Sequence, residues 1–149
     1  MRKILLLLTV LIAATFIGRI GSETESQRRY IKSPGRANLP FSDAVLVGNT
    51  LYLAGHLGLD PSTGQAPAEV EKEIRLLLDG FKSTLKESNM TMDDLVSVQV
   101  FCTDLSLYEK FNNVYRAEFT DSFPARAFLG TSTLLRGAHF EMQGIAVMR

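Results

Sequence analysis

Two side chains in the C-terminal quarter of this 149-residue sequence have the types and settings that small-molecule acid chemistry needs, Arg126 and Glu141. Arg126 ends the segment Phe123-Pro-Ala-Arg126. An arginine at the entry of a strand, directed by a preceding proline and flanked by the small Ala125 and Ala127, can present its planar fork of donors to a carboxylate. Glu141 lies between Phe140 and Met142. On a strand its carboxylate therefore points away from both apolar neighbours, toward the opposite face. If the two strands are neighbours, Arg126 can hold a substrate carboxylate while Glu141 positions a water. On spacing alone, a salt bridge between the two, or two unrelated surface charges, is the better account.

Other chemistries lack their residues. The sequence holds no Gly-rich phosphate loop with its lysine, no His-Glu-x-x-His, no Gly-x-Ser-x-Gly and no paired-cysteine zinc site, and its two histidines are His56 and His139. No metal and no cofactor is expected. Cys102, the single cysteine, cannot form an intramolecular disulfide, and its place in the alternating run Val96 to Cys102 reads as a small buried hydrophobe on a strand rather than a nucleophile. Formal charge is zero, and no basic stretch is interleaved with aromatics, so nucleic acid is an unexpected partner. Asn89-Met-Thr91 matches a glycosylation acceptor, a triplet too common to be informative.

The length fits one domain. Met1-Arg2-Lys3 followed by an apolar run from Ile4 to Ile17 has the charge and length of an export signal. Residues 1–21 are read as a signal peptide or an uncleaved N-terminal anchor, which places the protein in a periplasm or outside the cell; no other membrane contact is expected. Removal of that segment takes Arg2, Lys3 and Arg19, leaving 13 basic against 16 acidic side chains. Residues 22–38, polar and basic with Pro34-Gly35, read as a linker, and the folded unit is expected over 39–149.

Within it, Val45 to Val47 and Leu51 to Ala54 flank the turn Gly48-Asn49 as a hairpin. Val70, Ile74, Leu77, Leu78, Phe81 and Leu85 recur at helical steps between Pro67 and Glu87. Thr91 with Asp93 and Asp94 looks like the cap of a brief helical segment. Val96 to Thr103 is a strand, and Tyr108, Phe111, Tyr115 and Phe119 mark a second helix over Ser106 to Thr120. Arg126 to Thr133 and Phe140 to Val147 complete the strands. The order predicts an α+β fold with two helices on one face of a mixed sheet. Strands apolar on both faces, such as Val96 to Cys102, need a further cover, and a homo-oligomer is expected to supply it.

From about Leu39 to Met148 the sequence resembles the RidA/YjgF family of enamine and imine deaminases. The matching stretches are Leu39-Pro-Phe-Ser-Asp-Ala-Val, Val47-Gly-Asn-Thr-Leu-Tyr-Leu-Ala-Gly55, Leu59-Asp-Pro-Ser-Thr-Gly64, Val100-Phe-Cys-Thr-Asp104, Phe111-Asn-Asn-Val-Tyr115, Phe123-Pro-Ala-Arg126 and Phe140-Glu-Met-Gln-Gly-Ile-Ala146. The resemblance implies a homotrimer of chorismate-mutase-like subunits with a site in each intersubunit cleft. It implies that Arg126 grips the substrate carboxylate, that Glu141 orients or activates the hydrolytic water, and that Gly55 and Asn112 shape the pocket. The implied substrates are short 2-imino or 2-enamino acids, converted to 2-oxo acids and ammonia without a cofactor.

The chain also departs from that pattern. Phe41 stands where a tyrosine is common, Ala54 where a serine is, and Phe128 where a cysteine is; His56 and Gln143 replace a frequent glutamine and a frequent acidic residue. A more apolar pocket follows. Two other functional classes remain open on these residues: an exported, non-catalytic trimer that binds small carboxylates through Arg126, and the ribonuclease or translation-inhibitor activity ascribed to relatives.

Overall fold

The computed structural model describes residues 27–33 and 37–149. The signal or anchor expected at 1–21 lies outside the described residues, as do 22–26 and 34–36 of the expected linker. Six strands and two α-helices follow in the order β1 (Arg28–Ile31), β2 (Ala44–Val47), β3 (Thr50–Leu57), α1 (Val70–Lys86), β4 (Leu95–Cys102), α2 (Tyr108–Arg116), β5 (Ala125–Gly130) and β6 (Phe140–Val147). They form one sheet, β1-β2-β3-β6-β4-β5, in which only the β4–β5 pair is parallel. Both helices lie on one face, as the order of elements predicts.

The side chain of Glu69 starts α1 by accepting from the amides of Glu71 and Lys72, each at 2.9 Å, so two otherwise unpaired donors of the first turn are satisfied. Ile74, Leu77, Leu78, Phe81 and Leu85 form its fully buried stripe against β3 and β6. Complete burial of each such side chain contributes about 1.5–3 kcal/mol. From the sheet, Leu51, Val98, Val100, Phe140 and Met142 meet them, and α2 adds Phe111. Cys102 is fully buried at the end of β4, its Sγ 3.0 Å from the carbonyl oxygen of Asp104, and burial pushes the thiol above its usual pKa.

The sheet begins earlier than the sequence pattern suggests. Within the stretch read as linker, Arg28–Ile31 pairs antiparallel with β2, Ile31 opposite Ala44. The guanidinium of Arg29 donates to the carbonyl of Glu87 at 3.0 Å and to the Ser88 hydroxyl at 3.0 Å, tying this edge strand to the end of α1. Charged residues are how an exposed sheet edge is kept from pairing further, and they also hide its alternation.

One irregularity shapes everything near the expected site. Between Leu53, opposite Gly144, and His56, opposite Met142, β3 carries two residues where β6 carries one. This β-bulge at Ala54-Gly55 reverses the alternation of β3: Leu51 and Leu53 are buried under the helices before it, His56 after it.

Candidate functional site

Arg126 lies on β5, opposite Val98 of β4, and Phe128 lies opposite Val100. Val98 and Val100 are buried under the helices, so Arg126 and Phe128 face the same way. Nη2 of Arg126 donates to Oδ1 of Asn112 on α2 at 2.6 Å. Its guanidinium carbon stands 4.8 Å from the centre of the Tyr115 ring, 5.7 Å from Phe128 and 5.8 Å from Tyr108. Three aromatic faces thus hold the cation without neutralising it. No carboxylate pairs with Arg126 among the described residues, and most of its donors stay available in a cavity of about 260 Å³ lined also by Asn112, Phe123 and Pro124.

Tyr115 forms the floor of this arrangement. Its hydroxyl is buried and has no hydrogen-bond partner among the described residues. Burial pushes its pKa up to about 12, against the opposing effect of Arg126, so it remains a neutral phenol at physiological pH.

Glu141 belongs to a different place. On β6 it lies opposite Leu57 of β3 and Phe101 of β4, between Phe140 and Met142, which are buried under the helices. Its half-buried carboxylate therefore opens on the sheet face away from them, where it makes no hydrogen bond or ion pair with the described residues. The bulge brings Gly55 directly beneath it: a Cβ at position 55 would stand 1.9 Å from Oε1 of Glu141. Glycine lets the carboxylate lie against the backbone of the bulge, and any side chain here would push it aside. Phe41, Ala54 and Gly55, with Glu141, line one cavity of about 550 Å³.

The expected site residues thus gather into two groups, Arg126 with Asn112 and Phe128, and Glu141 with Phe41, Ala54 and Gly55. The structure corrects the idea that β5 and β6 are neighbours. Strand β4 runs between them, and the two side chains leave opposite faces of the sheet. Two inter-strand spacings, about 9–10 Å, and the thickness of the sheet separate them, so neither a salt bridge nor a joint grip on one small molecule is available within a single chain. The physical reason is the parallel β4–β5 pair, which places β5 at the sheet edge while the last strand enters the centre.

Sequence reasoning missed a second carboxylate. Glu73 on α1 is fully buried; its Oε1 accepts from the amides of His139 at 2.6 Å and Phe140 at 3.0 Å, and its Oε2 stands 2.7 Å from Nδ1 of His139. These contacts clamp the start of β6 one residue before Glu141. The signal was present: Glu73 precedes Leu77 by four residues and so shares the buried stripe. His56 is likewise fixed, with Nδ1 2.9 Å from the carbonyl oxygen of Ala54 and Nε2 2.9 Å from Oγ1 of Thr84. Among the described residues no group of three or more His, Cys, Asp or Glu side chains is arranged to hold a metal ion.

A family model described as endoribonuclease L-PSP matches residues 31–148. A Bos taurus protein named 2-iminobutanoate/2-iminopropanoate deaminase is 37% identical over 109 residues, 72% of this chain and 80% of its own length. The Homo sapiens protein of that name is 32% identical over 117 residues, 78% of this chain and 85% of its own. Among solved structures, RidA from an Antarctic Psychrobacter superposes with a TM-score of 0.71 at 28% identity, covering 83% of this chain and 98% of that one. The YjgF gene product of E. coli gives 0.70 at 30% identity, covering 86% and 100%.

Proposed function

Because the chain belongs to the endoribonuclease L-PSP family, which includes RidA and YjgF, we propose that it hydrolyses 2-imino and 2-enamino acids to 2-oxo acids and ammonia at sites shared between copies of itself. The observation that carries this reading is the opposed orientation of Arg126 and Glu141. Each face bears half of a site, and only a neighbouring copy can lay one half against the other. The face that carries Glu141 also exposes Tyr52, Val96 and Leu129, apolar area that an assembly would cover. A homotrimer is the assembly proposed.

In such a cleft, Arg126 of one copy takes the substrate carboxylate in a charge-assisted, bidentate grip, with Asn112 holding the guanidinium in line. Glu141 of the next copy accepts a hydrogen bond from a water and orients it toward the C=N carbon. That carbon is already electrophilic when the nitrogen is protonated, so orientation and one proton acceptor carry most of the chemistry. Water oxygen bonds to carbon as the C=N π pair moves onto nitrogen, the Glu141 carboxylate relays one water proton to that nitrogen, and the remaining hydroxyl proton is released as the C–N bond breaks, so that ammonia leaves a 2-oxo acid. The neutral formal charge of the chain supports a small-molecule substrate over RNA. The apolar run Ile4 to Ile17 supports export as the setting.

The test is complementation. Arg126→Ala and Glu141→Ala chains are each expected to be inactive on 2-iminobutanoate generated in situ. Refolded together in equal amounts, they should recover about a quarter of wild-type activity, because one interface in four pairs an intact arginine with an intact glutamate. No recovery from a mixed assembly, with wild type active, would rule out a shared site. A folded, assembled wild type that binds 2-oxo acids without accelerating ammonia release would replace the deaminase with the carboxylate-binding reading.

A further inference from the structure

The cavity beside Glu141 is about 550 Å³, roughly twice the 260 Å³ at Arg126, and its walls differ in kind. Leu39 and Phe41 enter it from the loop before β2, Leu57 and Leu59 from the end of β3 and the loop beyond, and Leu135 from the turn before β6. Three of these are among the largest exposed apolar side chains of the described residues: Leu135 at 75%, Phe41 at 46% and Leu39 at 40%. Exposed apolar groups that converge on one cavity, rather than scatter singly, mark a surface waiting for an apolar occupant. Among the described residues no hydroxyl or amide side chain lines it, and Glu141 and Arg136 are its only charged members.

Resting on the imine-hydrolysis reading above, we infer that this cavity receives the substrate's side chain and selects large apolar 2-imino acids, with an isobutyl or benzyl group, over those carrying methyl or ethyl. Leu57 stands directly opposite Glu141 in the β3–β6 register, so a substrate whose C=N carbon faces the Glu141 carboxylate projects its side chain onto the leucine wall. A methyl group leaves that wall wet. Each further methylene buried there favours binding about fourfold, the factor that corresponds to its transfer from water. The carboxylate end is held elsewhere, by Arg126 of the neighbouring copy, so the cavity adds selectivity without competing for the grip.

The experiment compares kcat/KM of the full-length chain, purified in mild detergent, for imines generated in situ by an amino acid oxidase from alanine, leucine, phenylalanine and aspartate. The leucine-derived imine is expected to exceed the alanine-derived one by at least tenfold. In Leu135→Ser that ratio should fall at least threefold. Equal or lower kcat/KM for the leucine- and phenylalanine-derived imines overturns the inference and leaves the deaminase standing. A preference for the aspartate-derived imine overturns it in favour of a second carboxylate at Arg136. If no imine is turned over, the deaminase reading fails, and calorimetry with 4-methyl-2-oxopentanoate against pyruvate decides the cavity: at least tenfold tighter binding of the former supports it, and equal affinity sinks it.

Discussion

The two faces of the sheet solve opposite problems with the same backbone. Beneath the helices, Arg126 is held by three aromatic rings and one amide. On the other face, Glu141 is held by backbone: a glycine under its carboxylate, a bulge beside it and the Glu73 clamp one residue before it. The arginine is positioned by side-chain packing, the glutamate by strand geometry. The contrast says what each half tolerates. Packing absorbs conservative changes among its rings, whereas a Cβ at the bulge moves the Glu141 carboxylate itself.

Substitutions at the two residues should separate along that line. The largest effect is expected from Arg126→Ala, a loss of about 3 kcal/mol of transition-state binding, or roughly 10²-fold in kcat/KM, carried mainly by KM. Glu141→Gln should instead act on kcat with KM nearly unchanged, because it removes the proton acceptor and keeps the shape. Steady-state kinetics on one imine checks both, and a kcat effect at Arg126 with a KM effect at Glu141 would reverse the assignment of grip and water.

Gly55→Ala comes next. The new Cβ displaces the Glu141 carboxylate, the free end of a half-exposed side chain, so kcat is expected to fall about tenfold while stability, measured by urea unfolding, changes by less than about 1 kcal/mol. Unchanged kcat would show that the glutamate has freedom the bulge does not control. The smallest effect concerns Tyr115→Phe. Removing a buried hydroxyl without a partner should leave the protein as stable or about 1 kcal/mol more so at neutral pH. Because folding raises the phenol's pKa from 10.0 to about 12, its contribution is fully present below pH 10 and is lost as pH rises toward 12. The Phe variant should therefore resist alkaline unfolding across that window. Equal alkaline midpoints would mean the phenol is not what fails there.

Much of the architecture was legible because it rests on local pattern. The three- and four-residue spacing from Val70 to Leu85 is α1, and the Gly48-Asn49 turn, with Gly48 at φ 61°, sets the first hairpin. Last-strand bounds of Phe140 to Val147 coincide with those read from alternation. Arg126 and Glu141 were legible as residue types, but not their separation. That depends on β4 pairing with both β5 and β6, a choice made among strands far apart in sequence, which no window along the chain contains. The bulge was hidden for the same reason, since an extra residue exists only relative to a partner strand. Strand β1 was masked by Arg28 and Arg29, whose charges suit an edge and mimic a tether.

The bulge at Ala54-Gly55 also divides the chain by its tolerance of changes in length. Loss of one residue there would restore regular alternation with His56 still opposite Met142 and Leu57 opposite Glu141, and would remove the bulge that sets Gly55 against the Glu141 carboxylate. Insertions and deletions in the exposed stretch Pro61 to Thr63, which pairs with no strand, have no such reach. Among descendants of this sequence, length variation should accumulate in that loop and be purged from the three residues between Leu53 and Leu57, where the number of residues sets how the backbone passes beneath Glu141.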